Sequence, residues 1–230
     1  MNTRLLLFLA CFPIPATSHD LWIERSGTLH QLAYGHAHSG HEGTKQLEYK
    51  PEAVKNALCF KPSGEVALRI DSGFTYPATL SGDCAVSRFS LSTGYWSETP
   101  YGTKNLPKGE AGAVIDSWQS VESVQRIDHW GDSLARPLTR ELELTPLNNP
   151  LALKAGDKLR LRVFYQGKPA ANVTVAYFGK PRGVTGADGA MNIRLSAPGF
   201  QLIQASLELP LSDGMADKAI HSASLQFDLP

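Results

Sequence analysis

EAGAVIDSWQSVESVQRIDHW, residues 110–130, is the stretch whose reading settles whether this chain mixes helix with sheet or is strands throughout. Val114, Trp118, Val121, Val124 and Ile127 recur at three- and four-residue intervals, the spacing of an apolar stripe along a helix. Ser, Gln, Glu and Asp fill the positions between them. The spacing predicts one amphipathic helix, mostly exposed, over 110–130.

On either side of it the period changes to two. EVALRI (65–70), SRFSLS (87–92), KLRLRVFY (158–165), NVTVAYF (172–178), AMNIRLS (190–196), FQLIQASLEL (200–209) and SASLQFDL (222–229) alternate as half-buried strands do. Asp188-Gly189 and Pro198-Gly199 mark turns between the later ones. A break falls at LTPLNNPLALKAGD (144–157), rich in Pro, Asn and Gly. The expected fold is therefore mainly β, in two β-sandwich domains that resemble immunoglobulin-like or transthyretin-like modules. The first covers 19–147 and carries the helix; the second covers 148–230. Cys59 and Cys84 form the expected disulfide, which closes a loop of about 25 residues and contributes about 3 kcal/mol on the chain-entropy model.

The first eighteen residues set the compartment. Arg4, the apolar run Leu5–Phe12 and the small residues Ala16-Thr17-Ser18 match a secretory signal peptide, too short for a membrane span. Cleavage after Ser18 makes the protein periplasmic and His19 its first residue. The alternative is a lipoprotein-type cut before Cys11, which would leave His19 inside the chain. No later segment is long and apolar enough to span a bilayer. With 22 basic and 22 acidic residues and no basic block, nucleic acid is excluded as a partner class.

The chemistry gathers at the mature N-terminus. HDLWIERSGTLHQLAYGHAHSGHEG (19–43) holds His19, His30, His36, His38 and His41, five of the seven histidines. His36 and His38 are two apart, so an extended chain sets both rings on one side. Gly35, Gly40 and Gly43 let His41 fold back toward them. A mature His19 adds an α-amine, with a pKa of about 7.7–8.0, that can chelate a metal together with its own Nδ1. Amine plus imidazoles suits Ni²⁺ or Co²⁺, with Cu²⁺ and Zn²⁺ as alternatives, and disfavours Mg²⁺ and Ca²⁺. The metal set is His19, His36, His38 and His41. His129 is the distant addition, and Asp20 and Glu24 are either outer acceptors for the ring N–H groups or solvated carboxylates. His30 and His221 read as surface or hydrogen-bonded residues, and Trp22 and Tyr34 as packing residues.

SHDLWIE, GHAHSGHEG, TPYGTKNLPKGEAGAVIDSWQS and the β-rich tail together resemble bacterial periplasmic proteins of nickel/cobalt uptake systems. The junction motif maps onto His19, Asp20, Leu21, Trp22, Ile23 and Glu24. The resemblance implies capture of Ni²⁺ or Co²⁺ for the components of a membrane metal transporter of the energy-coupling type. It implies no enzyme, in line with the lack of a Gly-x-Ser-x-Gly, His-Glu-x-x-His or phosphate-loop motif. Two other readings stand beside it: a copper oxygenase built on an N-terminal histidine, and a structural or carbohydrate-binding β module.

Overall fold

The computed structural model describes residues 19–37 and 45–230. The expected leader, His38 and His41 lie outside the described residues. The described chain is mainly β. In order the strands are β1 (Asp20–Ser26), β2 (Leu29–His36), β3 (Lys45–Gln46), β4 (Val54–Phe60), β5 (Val66–Ile70) and β6 (Thr79–Ser81). Then come β7 (Val86–Thr99), β8 (Gly102–Lys104), β9 (Asp116–Ile127), β10 (Glu143–Pro146), β11 (Lys158–Tyr165) and β12 (Lys168–Pro169). The last are β13 (Thr174–Tyr177), β14 (Lys180–Val184), β15 (Ala190–Arg194), β16 (Gly199–Pro210) and β17 (Lys218–Leu229). Helical turns among the described residues are short 3₁₀ turns, and no helix there is long and apolar enough to cross a membrane.

Residues 110–130 do not form the expected helix. They hold β9, hydrogen-bonded to β7 on one side and, in parallel, to β17 on the other. The apolar residues miss a period of two because β9 meets a core on each face toward its C-terminal end and an open trough before it. Val124 belongs to one core and Ile127 to the other, so apolar side chains fall on odd and even positions alike.

Nine strands make one large sheet in the order β14-β13-β16-β17-β9-β7-β4-β5, with β8 paired to β7. A small sheet of β1, β2, β3 and β6 packs on one face and another of β10, β11, β12 and β15 on the other. Alternation shows the arrangement directly. On β4, Ala57 and Cys59 join Leu21, Ile23 and Leu32 of the first small sheet, whereas Leu58 and Phe60 join Leu144, Leu161 and Val163 of the second. The second core also takes Ile203, Leu225 and Phe227, so strand pairing and core packing run across residue 147. Cys59 and Cys84 form a disulfide at 2.03 Å within the first core. The Asp188-Gly189 turn leads into β15; Gly189 has φ +74° and a Cβ there would meet the Val163 carbonyl at 2.8 Å, so only glycine fits.

Candidate functional site

The site begins with a hairpin. Gly27 and Thr28 form a two-residue turn, with Gly27 at φ +62°, between the paired residues Ser26 and Leu29. The register runs back to Asp20 opposite Gly35. The next position sets His19 across from His36, and their ring centroids lie 5.1 Å apart. Two further bonds fix this open end. The Asp20 carboxylate accepts the Ala37 N–H at 3.0 Å and the Gln204 side-chain amide at 2.8 Å, which ties the hairpin to β16.

Tyr34 sits beside the pair, its hydroxyl 3.0 Å from His19 Nδ1. Burial, followed by the neighbouring His36, lowers the His19 pKa, with Asp20 opposing. Its ring is therefore neutral at pH 7, the form that binds metal. Burial and the nearby Glu122 push the Tyr34 phenol up to about 12. Phenol and imidazole are both uncharged, and the bond between them engages the nitrogen that an amine chelate would need.

Below the pair the large sheet forms the floor of an open trough of about 820 Å³. Its floor residues are set by register. Even-numbered positions of β9, β16 and β17 face this side, while their odd-numbered neighbours enter the core beneath. Glu122, half-buried, accepts a 2.7 Å hydrogen bond from the Ser120 hydroxyl. Burial raises its pKa against that hydroxyl's opposing effect.

The other expected site residues lie apart from this pair. His129 is exposed, 3.7 Å from Asp83, and follows Asp128, which pairs with Arg25 at 3.2 Å. Arg25 is six positions along β1 from His19, about 20 Å at 3.4 Å per residue, so His129 does not reach the histidine pair. Glu24 accepts from Trp22 Nε1 at 3.2 Å and from Gln46 Nε2 at 2.7 Å. His30 is buried and meets the Gly82 carbonyl through Nε2 at 3.2 Å. His221 packs on Tyr165. No three His, Cys, Asp or Glu side chains among the described residues are grouped to hold a metal.

Two features escaped the sequence reading. The pairing of His19 with His36 was available in SGTL (26–29): a two-residue glycine turn there fixes the register. The trough is not legible there, because the spacing of Trp118, Val121 and Val124 is that of a helix.

No curated protein matches the chain. A family model described as a domain of unknown function, DUF4198, matches residues 16–209, and the chain belongs to that family.

Proposed function

We propose that the protein binds a late first-row divalent metal, Ni²⁺ or Co²⁺, through His19 and His36 at the mouth of the trough. The supporting observation is their spacing. Two imidazoles bound cis on one ion, with metal–nitrogen bonds of about 2.0–2.1 Å, put their ring centroids about 4.5–5 Å apart, close to the 5.1 Å here. A pair alone is too few ligands. On this reading the remainder come from the α-amine of a mature His19 and from His38 or His41. The protein is then a periplasmic carrier that passes its ion to a membrane transporter.

Calorimetric Ni²⁺ titration of the mature protein tests this. His36→Ala is expected to weaken binding at least about tenfold, as loss of one ligand should. One extra residue before His19 is expected to weaken it too, with every histidine intact. Tyr34→Phe separates the ring nitrogens. If Nδ1 chelates with the amine, removing the competing hydroxyl raises affinity by about fivefold, the worth of one net hydrogen bond. Unchanged Ni²⁺ binding in both His36→Ala and the extended protein would sink the reading.

A further inference from the structure

The trough carries chemistry that the histidine pair does not use. Strand register lays it out as rows. One row crosses three strands as Glu122, Ser222 and Ser206, all facing the same side. The next holds Ser120 beside Ile220. Beyond it, Trp96 and Trp118 are directly opposite on β7 and β9, both half-buried and both lining the trough. The floor therefore passes from a carboxylate with hydroxyls, over an isoleucine, to a pair of indoles.

The charged side chains that line it are acidic, and Lys218, opposite Trp118 at the indole end, is held by Glu208 and Asp116. Asp20, Glu122 and Glu208 line the trough, and no Lys or Arg does among the described residues. Asp20 is satisfied by two N–H donors. Glu208 shares Lys218 with Asp116, at 3.4 and 2.9 Å. Glu122 receives the Ser120 hydroxyl, and no cation pairs with it among the described residues. A half-buried carboxylate so placed favours an incoming cation and repels anions.

We propose that the trough binds an organic amine with an ammonium head and an extended apolar tail. The ammonium donates to the Glu122 carboxylate and to the hydroxyl oxygens of Ser222 and Ser206. The tail runs over Ile220 onto Trp96 and Trp118. From Glu122 to Trp118 is four residues of strand, about 13 Å, the length of a medium-chain alkyl amine. This site is separate from the metal reading and does not depend on it.

The test uses n-octylammonium as probe, with octanoate, 1-octanol and maltose as comparisons, followed by tryptophan fluorescence and calorimetry on the mature protein. Octylammonium is expected to bind at least about tenfold more tightly than octanol, the difference that a hydrogen bond to a charged group supplies. Octanoate is expected not to bind. Glu122→Gln keeps the size and the Ser120 contact, and it should remove the preference for octylammonium while leaving octanol unchanged. Trp118→Ala should weaken both. Circular dichroism checks that each variant is folded, and unaltered Ni²⁺ affinity in Trp118→Ala, which removes no charge, separates this site from the histidine pair. Equal affinity for octanol and octylammonium, indifference to Glu122→Gln, binding of maltose in their place, or no binding of octylammonium by the folded protein would each overturn the proposal.

Discussion

Among the described residues no strand pairs with the outer edge of β1 at Ile23, and a side chain takes that place. Gln226 Oε1 accepts the Ile23 N–H at 2.8 Å, and Gln226 Nε2 donates to the Ile23 carbonyl at 2.9 Å. The amide is buried, so both bonds form away from water. Gln226→Leu leaves a buried N–H and C=O unmatched and is expected to cost about 2–4 kcal/mol in urea unfolding. His30 supplies a pH dependence at the same scale. Burial lowers its pKa, while Asp128 and then the Gly82 carbonyl oppose. In the unfolded chain it titrates near 6.5. A depressed folded pKa stabilises fully above that value and loses the contribution as pH falls through the folded one. The melting temperature is expected to drop between pH 7 and pH 5, and His30→Gln should flatten that slope; an unchanged slope refutes it. Neither residue is conspicuous in the sequence. Gln226 is an ordinary polar residue in SASLQFDL, and only the packing of β1 over β17 gives its amide a backbone to satisfy.

Among the elements, β9 shows most clearly what periodicity can and cannot tell. Strands with one face covered, such as β11 with its alternating burial, announce themselves by a period of two. All seven expected strands are present. β9 gives Val124 to one core, Ile127 to the other and Trp118 to the trough, so its pattern lost that signature and took on the spacing of a helix by coincidence. Ser123 tests the assignment. It pairs with Ser90 on β7 and with Ala223 on β17. Proline there removes a ladder bond and forces its ring between paired strands, at a cost of about 3 kcal/mol or more. In an exposed helix the penalty is similar in size, so the informative readout is local. Amide exchange should accelerate in β7 and β17 together with β9, a coupling that an isolated helix would not transmit.

For the whole molecule, the parallel pairing of β17 with β9 matters most. The expected boundary near residue 147 rests on a real change of composition, yet β17 returns to the centre of the large sheet. Nothing local could reveal that return, since Trp118 and Lys218 are partners across 100 residues. A protein ending at residue 147 would present the bare edge of β9 and lose Leu161, Leu225 and Phe227 from the second core. Such a fragment is expected to show no cooperative melting transition and to bind a hydrophobic dye, whereas the full chain melts in a single step.

The same pairing has a consequence for synthesis. β9 emerges from the ribosome long before its neighbour exists, and contacts so distant in sequence are slow to form. Through that interval its edge is an open template for other chains. Six of the nine residues that later pair with β17, Gln119, Ser120, Glu122, Ser123, Gln125 and Arg126, are polar or charged. A central strand needs no such composition once the sheet is closed. The nascent chain does, because a polar edge stays soluble while it waits.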